Sequence, residues 1–393
     1  MASNPTPTLR VGMIGYAFMG AMHSHAWRTA PRFFDLPLHP ELTVLAGRDA
    51  AAVKSAADRM GWQDTATDWR SLVEREDIDL IDICTPGDTH AEIAIAALEA
   101  GKHVLCEKPL ANSVEEAERM AAAARAAAEQ GVFAMCGFSY RRTPALTLAR
   151  RLVEQGRLGD IRHIRAQYLQ DWLSDANAPM TWRLDRTKSG SGALGDIGAH
   201  SIDAAQFVTG LKISGVSALL NTFVHERPLS GTRVGLGGSG AGDGGTGQVT
   251  VDDAAIFSAR FDGGAVGVFE ATRFALGRKN SMRLEVNGTL GSLAFDFENM
   301  NSLEFYDGTV SSETAGFSTI NVTEPAHPYT GNWWPAGHGL GYEHGFTHQV
   351  VDLVQAIADG TTPSPSFDEA LRVQKVLRAV EQSASADSGW QHV

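Results

Sequence analysis

Leu9-Arg-Val-Gly-Met-Ile-Gly15-Tyr-Ala-Phe-Met-Gly20 is an apolar run of strand length that breaks into a glycine-spaced turn. Its spacing is that of the dinucleotide fingerprint G-x-G-x-x-G, with Ala17 standing at the second glycine. In that motif the first glycine makes a tight turn, the second lets backbone approach a pyrophosphate, and the third lets a helix pack closely on a strand. The phosphates then rest on the helix N-terminus, where free amides point at them. Gly15, Ala17, Phe18, Met19 and Gly20 are therefore candidate cofactor-binding residues. The competing reading is a glycine turn used only for packing.

Further strand-length runs follow at Leu42–Gly47, Leu80–Thr85, His103–Glu107 and Phe133–Phe138, separated by helical patterns. Val53, Ala56, Ala57 and Met60 fall on one helix face. Ile93–Ala100 is helical by composition and stops at Gly101, and Ser113-Val-Glu-Glu116 has the form of a capping box. Strand, helix and strand at this spacing need crossovers, so a parallel, doubly wound α/β sheet is expected. From about residue 150 the pattern changes to strands at Ile161–Leu169, Gly215–Phe223, Ala254–Phe261, Ala265–Phe274, Ser281–Asn287, Ser292–Phe297 and Leu303–Tyr306. Asp262-Gly263-Gly264 and Asn287-Gly288 read as hairpin turns between them. The expectation is a Rossmann dinucleotide-binding domain over 1–135 and an α+β domain over 136–393 with a large, open, mostly antiparallel sheet. Gly235–Gly247 holds eight glycines in thirteen positions and reads as a flexible loop. The tail from His344 to about Ser383 reads as helical, broken at Gly360–Pro365.

Composition narrows the function classes. The 393 residues carry 33 Lys+Arg against 46 Asp+Glu, a net charge of −13, which disfavours nucleic acid or an anionic membrane as a partner. No apolar run reaches the ~18 residues a membrane span needs. Cys84, Cys106 and Cys136 all sit in expected strands, with no metal-type spacing. A reducing, cytoplasmic setting is expected, without a disulfide framework.

The end of the second strand reads Ala46-Gly47-Arg48-Asp49. An acidic residue there commonly binds the adenosine ribose, and Gly47 would remove the charge that repels a 2′-phosphate. Arg48 could then take that phosphate through its planar fork, which favours NADP. In the competing reading Arg48 is a solvated charge and Asp49 binds the ribose.

The run Cys84-Thr-Pro-Gly-Asp-Thr-His90, then Glu107-Lys-Pro-Leu110, then Gly195-Asp-Ile-Gly-Ala-His200 resembles the Gfo/Idh/MocA oxidoreductases over nearly the whole chain. The resemblance implies catalytic roles for Lys108, Asp196 and His200, and a cis bond before Pro109. It places Thr85, Pro86, His90, Glu107 and Lys108 at the cofactor, while Gly87 stands where an asparagine is usual. Within the family, Tyr168-Leu-Gln170-Asp-Trp172, Trp182-Arg183 and Gly339-Leu-Gly-Tyr342-Glu343 are similar to the levoglucosan dehydrogenase branch, which uses NAD. Tyr140, Gln170, Trp182, Arg183 and Tyr342 become candidate substrate contacts, with Lys108, Asp196 and His200.

The residue types fit that chemistry. Oxidising a secondary alcohol needs a base for its proton, and histidine titrates near neutrality. A lysine ammonium stabilises a developing alkoxide. Asp196 and His200 are four apart, on one face of a helix opening after Gly190–Gly195. The expected reaction is NAD(P)-dependent oxidation of a ring hydroxyl, at C3, of a pyranose, an anhydro-sugar or a glycoside. A redox-cycling glycosidase and a non-catalytic binder on the same fold are the alternatives. Glu343-His344 and His348 have helical spacing that could hold zinc, but surface histidines are the expectation and no metal is invoked. The open sheet is expected to be covered by another subunit, in a homodimer or homotetramer.

Overall fold

The computed structural model describes residues 6–234, 237–240 and 244–393. In chain order the first part comprises β1 (Thr8–Ile14), α1 (Phe18–Phe33), β2 (His39–Ala46), α2 (Ala50–Met60), β3 (Asp64–Ala66), α3 (Trp69–Val73), β4 (Leu80–Ile83), α4 (His90–Glu99), β5 (His103–Cys106), α5 (Val114–Ala128) and β6 (Ala134–Cys136). The six strands form one sheet in the order β3-β2-β1-β4-β5-β6, with every pairing parallel. The order reverses at β1, where open α/β sheets bind ligands at the carboxyl ends of their strands. The expected helix faces are found: Val53, Ala56, Ala57 and Met60 are the buried side of α2. Ser113 and Glu116 form the capping box that opens α5. Cys106 and Cys136 end β5 and β6, Cys84 follows β4, and none of the three is in a disulfide.

The second part begins with α6 (Pro144–Glu154), β7 (Ile161–Leu169), α7 (Arg186–Ser189), α8 (Ala199–Thr209) and β8 (Ile213–Asn221). Four short strands follow: β9 (Glu226–Pro228), β10 (Gly231–Val234), β11 (Gly237–Gly240) and β12 (Thr246–Gln248). Then come β13 (Ala254–Phe261), β14 (Val266–Thr272), β15 (Ser281–Gly288), β16 (Gly291–Asp296), β17 (Ser302–Asp307), β18 (Phe317–Asn321), α9 (Tyr342–Asp359), α10 (Phe367–Ser385) and β19 (Gln391–His392). A nine-stranded sheet runs β18-β17-β16-β15-β7-β14-β13-β8-β19. Only β7 and β14 pair in parallel; the other neighbours are antiparallel. Along β13, Ala255, Phe257, Ala259 and Phe261 are buried while Ile256, Ser258 and Arg260 are exposed, the alternation of a sheet with one covered face.

Three expectations need correction. The chain divides into units 1–142 with 340–372, and 143–339 with 373–393, so α9 belongs with the first unit rather than the second. Phe346, Val350, Leu353 and Val354 of α9 share a buried cluster with Ala26, Trp27 and Ala30 of α1. Each such side chain contributes about 1.5–3 kcal/mol on burial, which outweighs sequence proximity. Second, the β15–β16 turn is at Thr289-Leu290, not Asn287-Gly288, which lie in β15. Gly288 is there for a close approach: a Cβ on it would lie 2.1 Å from the Leu158 carbonyl oxygen. Asp262-Gly263-Gly264 does turn β13 into β14, with Gly263 and Gly264 both at positive φ. Third, the glycine-rich stretch is not all loop. Residues 237–240 pair with β10 and 246–248 with β9, because backbone pairing needs no side chain, while 235–236 and 241–243 lie outside the described residues.

Candidate active site

The first unit supplies a dinucleotide cradle. Gly15 follows β1 at φ +102°, and its N–H donates to the Ala46 carbonyl at 3.0 Å. A Cβ at Gly15 would lie 2.7 Å from the Cys84 oxygen, and one at Gly20 would lie 2.1 Å from the Gly15 oxygen. Both glycines are required by close backbone approach, and the Ala17 methyl is accommodated at the N-cap of α1. No side chain caps α1, so its first amides present donors to an anion. These residues fit a pyrophosphate. After β2 the Tyr16 ring lies against Gly47, where a Cβ would come within 2.1 Å of it. Arg48 is exposed, and the Asp49 carboxylate caps α2 by accepting the Ala52 amide at 2.9 Å.

Below the Lys108 loop lies a buried charged cluster. His23 of α1 donates from Nδ1 to Asp82 at 2.9 Å and from Nε2 to Glu107 at 2.9 Å. Trp27 Nε1 adds a bond to Asp82 at 2.7 Å. Burial pushes His23 down, but the Asp82 charge and hydrogen bond outweigh it and hold the ring well above its usual pKa. The ring is an imidazolium between two carboxylates. Burial pushes the neighbouring Cys84 thiol far up, so it is not a nucleophile. Glu107 also accepts the Lys108 amide at 3.1 Å. The Glu107 carboxylate is buried and engaged by His23 and the loop backbone, and so anchors Lys108. The Lys108–Pro109 bond is cis.

His90 is also an anchor. Its ring nitrogens lie against the carbonyls of Pro109 at 3.0 Å and Thr85 at 2.9 Å, which ties the Lys108 loop to the loop after β4. Thr89 Oγ1 donates to Thr85 Oγ1 at 2.7 Å and braces that second loop. Beside Gly87 stands the Asn112 carboxamide, 2.5 Å from where a Cβ would be, so this space is filled from the Lys108 side. Tyr342, at the start of α9, stacks on Phe18 with ring centroids 6.5 Å apart and meets Tyr140 edge-on at 6.3 Å. Tyr140 is buried, with its ring edge-on to Tyr342.

The second unit carries Asp196 and His200. Residues 194–198 form a π-helical turn that runs directly into α8, so both side chains come from one helical stretch. Asp252 builds the approach to it, its carboxylate accepting the amides of Gly192 at 2.7 Å and Leu194 at 2.8 Å. Burial pushes the Asp252 carboxyl up, opposed by those amides and by Arg273. Arg273 reaches Asp196 at 3.5 Å, donates to the Asp252 carbonyl at 3.2 Å, and lies over the Trp172 ring at 5.4 Å. Trp172 Nε1 donates to Gln170 Oε1 at 2.9 Å, and Gln170 Nε2 donates to Asn280 Oδ1 at 3.0 Å. Asn280 also accepts Tyr168 OH, whose ring is 6.0 Å from His200. Gln170 is therefore buried with both ends of its amide engaged. Trp182 is partly exposed under the Arg183 guanidinium, 4.5 Å away.

Sequence reading missed Arg273, Asp252, Asn280 and Arg227. The buried Arg227 gathers the carbonyls of Leu173, Asp175 and Ala178 and so shapes the loop after Gln170. The surface expectation for the α9 histidines is overturned. His348 is fully buried, donates from Nδ1 to the Arg142 carbonyl at 2.9 Å, and is pushed by burial down to about 3. His344 accepts the Gly341 amide at 2.9 Å. Among the described residues, the group whose atoms are close enough to hold a metal is His23, Asp82 and Cys84 instead. The carboxylates already bound to both His23 nitrogens leave no lone pair there for a metal.

A glycine cradle at a sheet reversal, a braced lysine loop and an Asp–His helical pair define a nicotinamide-dependent oxidoreductase acting on CH–OH groups. Family models agree: residues 9–138 match the oxidoreductase family with an NAD-binding Rossmann fold, and 146–294 match the GFO/IDH/MocA C-terminal domain. The chain belongs to the Gfo/Idh/MocA family. It is 43% identical to levoglucosan dehydrogenase of Pseudarthrobacter phenanthrenivorans over 97% of both chains. An oxidoreductase domain protein from Kribbella flavida superposes with a TM-score of 0.94 at 63% identity, over 98% of this chain and 99% of that one. A levoglucosan dehydrogenase in complex with NADH and levoglucosan gives 0.91 at 41% identity, with the same coverage.

Proposed function

We propose that this chain oxidises the C3 hydroxyl of a pyranose-type sugar, with levoglucosan or a related glycoside as substrate and NAD or NADP as oxidant. The observation that carries the reading is the Asp196–His200 pair on one helical run, in a chain whose other unit holds Lys108 on a braced loop beside a dinucleotide cradle. The relative solved with NADH and levoglucosan supports the substrate class. In this reading His200 takes the hydroxyl proton, and Asp196 orients the site. The Lys108 ammonium stabilises the alkoxide as it forms. The dinucleotide, when bound, supplies the hydride acceptor. Trp182 offers an aromatic face and Arg183 rigid donors to a sugar ring.

Gly47 leaves no carboxylate against a 2′-phosphate, and Asp49 is occupied as a helix cap, so Arg48 serves NADP while NAD use follows the relatives. The test is reduced-cofactor absorbance at ~340 nm with NAD⁺ and NADP⁺ against levoglucosan, glucose, methyl glucosides and inositols. Stoichiometric reduction with one sugar supports the reading. Glycoside cleavage without net reduction would replace it by a redox-cycling glycosidase. The proposed assembly is a homodimer or homotetramer covering the outer sheet face, where Leu219 and Ile256 sit opposite each other and Val266 and Val268 are exposed. Free cysteines fit a cytoplasmic setting.

A further inference from the structure

Arg273 is fully buried, an expensive place for a guanidinium. It follows β14, whose buried face is Gly267, Phe269 and Ala271, and the same alternation turns Arg273 inward. Packing alone is served there by an apolar residue. A buried cation is tolerated when it has a partner, and the carboxylate it meets is Asp196, at 3.5 Å. Its other contacts fix the fork. Nη2 is tied to the Asp252 carbonyl, and the guanidinium plane rests on Trp172, which is itself held through Gln170 and Asn280 to Tyr168 beside His200.

Followed round, these contacts leave Asp196, pass through five side chains and return beside His200, four residues further along the same helical run. Asp196 stands on the π-helical turn, a distortion that recurs at functional sites, and Arg273 reaches it from the end of β14.

We propose that Arg273 is a positioning residue that fixes the Asp196 carboxylate, with Trp172, Gln170, Asn280 and Tyr168 as its frame, and so sets the geometry of the Asp196–His200 pair. The inference rests on the reading of Asp196 as part of the catalytic machinery, but its structural core can be tested without a substrate. The geometry also separates two roles: Arg273 has no exposed surface to offer a sugar, so it acts through Asp196.

Crystal structures of R273K and R273A, with the full chain, should show the Asp196 carboxylate displaced while the Gly192 and Leu194 amides stay on Asp252. An unchanged Asp196 in either variant overturns the proposal whatever the activity. If R273A does not fold, R273K decides, because lysine keeps the charge and loses the fork and the stack. With levoglucosan and NAD⁺, R273K is expected to lose ~100-fold in kcat with KM within about threefold, while NADH binding followed by fluorescence is unchanged. In a D196N background the same R273K change should cost less than about twofold, since its target is gone. A cost undiminished by D196N would mean Arg273 acts elsewhere and would overturn the proposal. Full activity of D196N alone would instead refute the catalytic reading of Asp196, and leave the structural result to stand or fall by itself.

Discussion

His23 lies between Asp82 and Glu107, and the fully buried His348 donates to a backbone carbonyl, so two histidines of one unit respond to pH in opposite senses. His23 is raised in the fold. Its stabilisation is complete below the unfolded value of about 6.5 and is lost as pH rises through its folded pKa. His348 is depressed to about 3, so the stability tied to its neutral form is complete above about 6.5 and falls as pH drops toward 3. H23A should leave two buried carboxylates without their cation and cost about 3–5 kcal/mol, a drop of roughly 10 °C in melting temperature by calorimetry. An unchanged melting temperature would refute the cluster as described. R48A should lower kcat/KM with NADP⁺ by about tenfold and leave NAD⁺ unaffected; equal losses with both would show that Arg48 does not read the 2′-phosphate. At this scale the sequence was partly legible. Lys108, Asp196 and His200, the proposed catalytic residues, stand in motifs. His23 and Arg273 do not, yet their positions carried a signal. His23, Ala26, Trp27 and Ala30 have apolar helix spacing with a histidine at its head, and Arg273 continues the inward set of β14.

Elements were legible where their pattern was long and periodic. β13 was read to the residue, and the α5 cap was read from a four-residue signature. β18, Phe-Ser-Thr-Ile-Asn, is an edge strand with mostly exposed side chains and offers no alternation to read. The glycine strand β11, Gly-Gly-Ser-Gly, has no side-chain pattern to betray it. The π turn was invisible because Leu-Gly-Asp-Ile-Gly differs from an α-helical start only in hydrogen bonding. That turn depends on Gly192, where a Cβ would lie 1.8 Å from the Asp252 carbonyl oxygen. Gly192→Ala should therefore destabilise by about 1–3 kcal/mol and cut turnover by ~100-fold through displacement of Asp196. Gly316→Ala, which meets open space, is the matched control and should change neither.

For the whole molecule, the outer face of the nine-stranded sheet gives the assembly prediction. Light scattering after size exclusion should return a multiple of 42.0 kDa, and Ile256→Glu should shift the chain toward single subunits. A 42.0 kDa particle in the unaltered protein would refute it. The division into units was the least legible feature, because nothing in the sequence of α9 says which core it joins.

That placement of α9 bears on how the protein is made. The helix that closes over Ala26, Trp27 and Ala30 is translated after some two hundred intervening residues, so the first unit to emerge from the ribosome stays unfinished the longest. Throughout that interval the apolar side of α1 lacks the Phe346, Val350, Leu353 and Val354 side chains that bury it in the finished fold. A ribosome stalled before Tyr342 would hold a nucleotide fold with its back still open.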